Sequence, residues 1–445
     1  MSIFDEYHSK IRTPEEAAKA VKKGDWVDLG FCNGFPVLLE EALANRKQEL
    51  EDIKLRGYLM INPLKTVEAD PEGETFTYFS WFMSSYERKL WEQGRCHFSP
   101  MLFRNLPEYY RRYLTVNVAM FAVTPMDRHG YFNFSVNCAS ARAILECADL
   151  VILEVNENLP LVYGGHDECI HISEVDMVVE GSGHPIIEVP SCVTSDADRK
   201  IAEHIVNQIP KGANIQLGIG SLPETVGNMI AKSDLKDLGI HTELLSNSFL
   251  EMQKEGKITN KLKTVNKNKG VFGFALGSKE LYDWARENPA LITCPINYVN
   301  SPALHANLDD MISVNNCIAV DLYGQVCAES SGTRQISGTG GQLDFLSGAF
   351  DSKGGNAFIC MTSTFKEKDG AVKSRILPRF SNGDIITDPR SQAFNMVTEY
   401  GCVNLAGRNA WERAELLVSI AHPDFREELI EAAENQKIWR KSNRR

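Results

Sequence analysis

The chain has 445 residues, 43% of them hydrophobic, and its 59 acidic against 47 basic side chains leave a formal net charge of -12. That balance excludes a nucleic-acid partner, because reading phosphates needs a concentrated excess of Lys and Arg. No apolar run reaches the roughly 18 residues that span a bilayer, and the start MSIFDEYHSKIRTPEEAAKA is charged where an export signal is apolar, so a cytoplasmic protein without membrane contact is expected.

In chain order, helical and strand patterns alternate. EEAAKAVKK (15–23) precedes DWVDLGF (25–31), ARAILECA (141–148) precedes DLVILEVN (149–156), DRKIAEHIVNQI (198–209) precedes NIQLGIG (214–220), and PETVGNMIAK (223–232) precedes IHTELLS (240–246). Helix and strand taken in turn predict an α/β fold with mainly parallel sheets covered by helices. One unit is written twice: KGDWVDLGFCNGFPVLLEEAL from Lys23 and KGANIQLGIGSLPETVGNMI from Lys211 share Lys-Gly, a Leu-Gly strand end, a Gly-containing turn, a Pro and a helix. An Asp-x-x-Gly turn repeats likewise, at Asp127–Gly130 and Asp321–Gly324. We therefore expect two related domains, 1–195 and 196–445, joined near PSCVTSDADRK, with a ligand cleft between them. The bland alternative is coincidence among Gly-rich βα turns.

The 11 cysteines stand singly with no CxxC pair, which predicts free, mostly buried thiols rather than zinc or redox chemistry. HDECIHIS is not an HExxH pair, no other His/Asp cluster has ligand spacing, and no GxSxG elbow supplies a serine nucleophile, so no metal site is expected.

Three stretches remain. In QLGIGSLPETV a strand ends at Leu217, Gly218, Ile219, Gly220 and Ser221 turn, and Pro223 sits in the first turn of the following helix. Amides at such a helix start suit an anion; the match to a dinucleotide fingerprint fails at Pro223, and a purely structural turn is an equal reading. In SGTGGQLDF (337–345) clustered glycines let backbone approach a ligand, or simply form a sharp turn between two strands. In GIHTELLSN (239–247) strand alternation places Glu243 on one face with His241 and Leu245, a carboxylate among half-buried neighbours. With no triad or metal cluster in view, the chemistry open to it is nucleophilic attack on an acyl carbon, although an ordinary buried structural Glu is commoner.

These stretches, together with VTPMDRHGYFNFSVN (123–137), ADLVILEVN (148–156), HISEVDMVVEG (171–181) and the segment 397–429, resemble the coenzyme A transferases that include acetyl-CoA hydrolase/transferases. The likeness runs in order along nearly the whole chain. It implies two α/β domains of the type shared with glucosamine-6-phosphate and ribose-5-phosphate isomerases. It implies Glu243 as nucleophile, carrying a glutamyl-CoA thioester in ping-pong transfer, and Gly341 as an oxyanion donor through its N–H. It places coenzyme A, a substrate rather than a resident cofactor, at Gly218, Ile219, Gly220, Ser221 and Leu222, at Gly341, and at Ile318 on the strand before DLYGQ. Within the family the likeness is to enzymes passing CoA from butyryl-CoA to acetate, with 4-hydroxybutyrate or propionate as alternative acids, and hydrolysis or a non-catalytic CoA sensor as alternative roles. Small acyl-CoAs and short carboxylates are the implied partners, and a homo-oligomer is left open. Lys366, Lys368 and the lysines of 260–270 are candidates for the CoA phosphates, with solvated surface charge the simpler reading. The apolar stretches FCNGFP (31–36), YLMINPL (58–64) and YFSWFMSS (78–85) are candidates for an acyl pocket, or plain core. At its ordinary pKa of about 4.3, Glu243 is expected to be ionised at neutral pH without a partner base, unless burial raises it greatly.

Overall fold

The computed structural model describes residues 2–190 and 192–440. By its contacts the chain divides into two units, one of residues up to Pro190 together with Val271–Val299, the other of 192–270 and the residues from Asn300 onward. The excursion Val271–Val299 lies beyond the expected boundary at 195/196 yet joins the first unit. There Ala139 N–H donates to the Gly273 carbonyl at 3.0 Å, Ala275 N–H to that of Val136 at 2.9 Å, and Phe274 meets Phe31 edge-on.

The first unit holds a seven-stranded parallel sheet. Its strands are β1 (Trp26–Leu29), β2 (Ile53–Gly57), β3 (Phe76–Ser80), β4 (His97–Phe98), β5 (Val116–Val123), β6 (Ala148–Val155) and β7 (Met177–Val179), in the order β4-β3-β2-β1-β5-β6-β7. Chain order reverses between β1 and β5, the kind of switch point at whose carboxyl edge open α/β sheets hold ligands. Strands covered on both faces need continuous apolar runs, which VNVAMFAV of β5 supplies. Val27, Leu29, Val118, Met120 and Ile152 pack in one core with Leu39 and Leu43 of helix α1 (Val37–Ala44). Glu154 at the end of β6 accepts the first-turn amide of Leu39 at 3.0 Å, satisfying a donor that helix geometry leaves open.

The second unit repeats the plan. Its strands are β8 (Asn214–Leu217), β9 (Gly239–Leu245), β10 (Met311–Asn316), β11 (Asn356–Cys360), β12 (Asn395–Thr398) and β13 (Gly401–Asn404). They run β9-β8-β10-β11-β12-β13, parallel except for β13. The switch now falls between β8 and β10. Helix α2 (Ser221–Lys232) buries Leu222, Val226 and Ile230, and helix α3 (Gln342–Asp351) buries Phe345, Leu346 and Ala349. The two Asp-x-x-Gly turns are built alike: Asp127 Oδ1 accepts the amides of His129 and Tyr131 at 2.8 and 2.9 Å, and Asp321 Oδ1 those of Tyr323 and Gln325 at 3.0 and 2.9 Å. All 11 cysteines are free thiols, and Cys192 is the exposed one.

Candidate active site

Glu243 stands near the carboxyl end of β9, half-buried. In register Asn214 pairs with Gly239 and Ile215 with Ile240, so Gly218 at the end of β8 lies level with Glu243. On the same face of β9, His241 meets His305 edge-on at 5.1 Å, and His305 stacks on Phe345 at 4.5 Å, both imidazoles being fully buried.

The carboxylate is held by neutral donors. Asn300 Nδ2 donates to Glu243 Oε2 at 2.6 Å, and the Gly341 N–H donates to the same carboxylate. Gly341 caps α3, so the helix start adds its partial positive charge. The stretch SGTGGQLDF is thus a loop into a helix rather than a turn between strands. A side chain at 341 is barred by distance, since a Cβ there would stand 2.1 Å from Asn300 Nδ2 and 2.3 Å from Glu243 Oε2. Asp388, itself buried, anchors this helix start by accepting from Gln342 Nε2 at 2.5 Å.

Burial pushes the Glu243 carboxyl up to about 7; the Asn300 and Gly341 bonds pull against that rise, and the nearby Asp344 carboxylate adds to it. The exception attached to the expected ionisation, a carboxyl lifted by burial, applies here, because desolvation outweighs both donors. Neither Asn300 nor Asp388 was singled out from sequence. Asn300 follows a single helical turn, 57 residues from Glu243, and an Asn before Ser-Pro reads as any loop residue.

Residues 2–190 match the acetyl-CoA hydrolase/transferase N-terminal domain and residues 277–433 its C-terminal domain. The chain belongs to the acetyl-CoA hydrolase/transferase family. It is 49% identical over 446 residues to butyryl-CoA:acetate CoA-transferase of Anaerostipes caccae, covering all of both chains, and 38% identical over 425 residues to 4-hydroxybutyrate coenzyme A transferase of Clostridium kluyveri, covering 95% and 97%. Among solved structures, RipA from Yersinia pestis superposes with a TM-score of 0.91 at 34% identity, over 98% of this chain and all of that one.

The remaining positions implied by the acetyl-CoA hydrolase/transferase resemblance fall as follows. Gly218 does not offer its amide to a ligand, since that N–H donates to Val314 at 2.9 Å. Helix α2 begins at Ser221, with Gly220 as its cap at φ +121°, and the amides of Ser221 and Leu222 lie in the first turn, where helix geometry supplies no partner. Ile219 is exposed and its carbonyl accepts from Asn316 Nδ2 at 3.3 Å. Ile318 is in a bend after β10, not on the following strand. It lines a cavity of about 600 Å³ with Arg334, Phe365, Lys373 and Arg375, and its carbonyl accepts from Arg375 Nη1 at 2.9 Å. Lys366 and Lys368 are exposed. Of the 260–270 lysines, Lys263 is buried against the Ile240 carbonyl at 2.5 Å and Lys261 pairs with Asp237, so those two act within the fold. Among the described residues no three His, Cys, Asp or Glu side chains converge as a metal site, and no helix is long and apolar enough to cross a membrane.

Proposed function

We propose that the protein is a CoA-transferase that moves coenzyme A from butyryl-CoA to acetate by a ping-pong route through Glu243. The observation that carries this reading is a half-buried carboxylate gripped by two neutral donors, the Asn300 amide and the Gly341 N–H. A carboxylate so placed keeps a lone pair for attack. It forms a bond to the thioester carbonyl carbon and CoA thiolate leaves, giving a mixed anhydride. The thiolate then attacks the glutamyl carbonyl, the C–O bond to the acid breaks, and butyrate departs from a glutamyl-CoA thioester. Acetate enters and the steps run in reverse.

Each addition passes through a tetrahedral oxyanion. The donors that hold the Glu243 carboxylate in the resting enzyme are the ones that would receive that charge when the glutamyl carbonyl is attacked. They are fixed by a helix cap and a turn, so they need no reorganisation at the moment of reaction. The desolvation that lifts the pKa also makes the ionised nucleophile less stable in its ground state and more reactive. The choice of acid rests on the Anaerostipes caccae relative.

Incubation with butyryl-CoA followed by intact-mass spectrometry should find CoA attached at residue 243, and acetate should discharge it as acetyl-CoA. Loss of thioester at a rate indifferent to acetate would replace transfer by hydrolysis.

A further inference from the structure

The loop that presents Gly341 is gripped on both sides by buried carboxylates that the transfer steps do not use. On its N-terminal side Glu329, 4% exposed, accepts from Thr339 Oγ1 at 3.3 Å and from Thr387 Oγ1 at 3.1 Å. The Glu329 backbone carbonyl also accepts the amides of Ile336 and Ser337 at 2.8 and 3.3 Å. On its C-terminal side Asp388, fully buried, accepts from Gln342 Nε2 at 2.5 Å. Thr339 stands just before the Gly340–Gly341 pair and Gln342 directly after it, so the two grips bracket the N–H that donates to Glu243.

The two grips are joined. Asp388 exchanges backbone hydrogen bonds with Val326 at 3.1 Å each way, an antiparallel bridge, and its neighbour Thr387 donates to Glu329 while accepting the Ala328 amide at 2.9 Å. Both carboxylates are thereby fixed to one frame, and every residue of it belongs to the second unit, as Glu243 does.

Stability alone does not ask for two acids here. Burial lifts Asp388 to about 7, with the Glu329 charge adding to the rise, and burial lifts Glu329 as well. Asp388 Oδ1 has no hydrogen-bond partner among the described residues, and the side chains that donate to the two carboxylates are hydroxyls and amides rather than cations. Burying a carboxylate on such terms costs more than burying a neutral amide. What the carboxylate adds is a stronger acceptor, roughly twice as strong as a neutral one. The loop is therefore held more firmly than neutral residues would hold it. Firm placement matters for a donor to an oxyanion, because a misplacement of about 1 Å costs on the order of a hundredfold in rate.

We infer that Glu329 and Asp388 are positioning residues: acting through Thr339 and Gln342, they hold the Gly341 N–H on Glu243 for the oxyanion of glutamyl transfer. This rests on the transferase reading and deepens it.

The test measures kcat and KM for butyryl-CoA at saturating acetate, with thermal melts to check folding. Asp388→Ala and Glu329→Ala remove the acceptors; Gln342→Leu and Thr339→Val remove the matching donors from the loop side. Each alanine variant is expected to lower kcat roughly ten- to hundredfold while KM changes far less, since the bond is needed in the transition state rather than for binding. Gln342→Leu should match Asp388→Ala, and combining the two should lower kcat no further, because both remove one interaction. Asp388→Asn and Glu329→Gln, whose amide oxygens still accept, should recover part of the loss, a rescue that a general weakening of the fold would not give. Unchanged kcat in a folded alanine variant, a rise in KM with kcat held, or amide variants no better than alanine overturns the assignment. Should the alanine variants not fold, Gln342→Leu and Thr339→Val decide: a fall in kcat at constant KM upholds it, and unchanged kcat overturns it. A wild-type enzyme that transfers nothing would instead sink the transferase reading itself, before any variant is made.

Discussion

The two units start from the same design and diverge in what partners their buried carboxylates. Trp26 pairs with Lys54 as Asn214 pairs with Gly239, so stepping along β2 and β9 together makes Arg56 the counterpart of His241 and Tyr58 the counterpart of Glu243. Asp28 likewise corresponds to Gln216. In the first unit the buried charge is closed on itself: Asp28 meets Arg56 Nη2 at 2.8 Å, both almost wholly inaccessible, and Tyr110 donates to the same carboxylate. Burial pushes Asp28 up to about 6 against the pull of Arg56, much as burial pushes Glu243 up to about 7. A raised carboxyl pKa therefore does not mark an active site by itself. The difference lies in the partners. A guanidinium that cannot lose its proton consumes Asp28 in a structural pair, whereas an amide and a backbone N–H leave Glu243 ionisable and free to form a bond.

The largest break in the comparison is at the proposed nucleophile. Glu243→Gln keeps the shape and removes the attacking oxygen, so transfer from butyryl-CoA should fall by roughly four orders of magnitude or more, as when other covalent nucleophiles are removed. Initial rates at saturating acetate measure it. A loss below tenfold in a folded variant would show that the two units do not differ in the way argued here.

The next effect is at the donor. Gly341→Ala must displace either Asn300 or Glu243, because the added Cβ has no room beside them. Disturbing one oxyanion donor costs about a hundred- to thousandfold in kcat, and KM for butyryl-CoA should change far less. Steady-state kinetics separates the two.

How much of this was legible beforehand follows from which signals are local. The strand carrying Glu243 and the turns at 218–222 and 337–341 show in periodicity and glycine spacing, and the doubled Lys-Gly unit reveals the two sheets with like switch points. Tertiary partners are not local. Asn300 and Asp388 reach the site from loops whose residue types carry no marker, and the lifted pKa of Glu243 depends on burial and on Asp344, 101 residues away. The return of Val271–Val299 to the first unit is equally invisible, since its strand pattern fits either.

A smaller effect sharpens the electrostatic half of the comparison. If Glu243 is the nucleophile it must be anionic, and kcat/KM for butyryl-CoA should then rise tenfold per pH unit below about 7 and level off above it. Asp344 raises the Glu243 pKa by like-charge repulsion, so Asp344→Asn should move that midpoint toward acid; Asn300→Ala removes a bond that lowers it and should move the midpoint toward base. Midpoints shifting the opposite way would mean another group controls the profile.

The smallest effect concerns stability, and its sign follows from linkage. Glu243 binds its proton more tightly folded than unfolded, so between the ordinary glutamate pKa and about 7 the native state holds more protons, and stability falls as pH rises through that window. Asp28 shares that sign, yet its closed pair with Arg56 is present in wild type and in a Glu243 variant alike, so it cancels in their comparison. Urea unfolding of Glu243→Gln against wild type should show the difference moving in favour of the variant from pH 5 to pH 8, by on the order of 2 to 3 kcal/mol. A difference that stays flat would mean that the folded carboxyl titrates like a free one. In that case the site would lack the desolvation that, together with neutral partners in place of a guanidinium, is argued to keep Glu243 reactive.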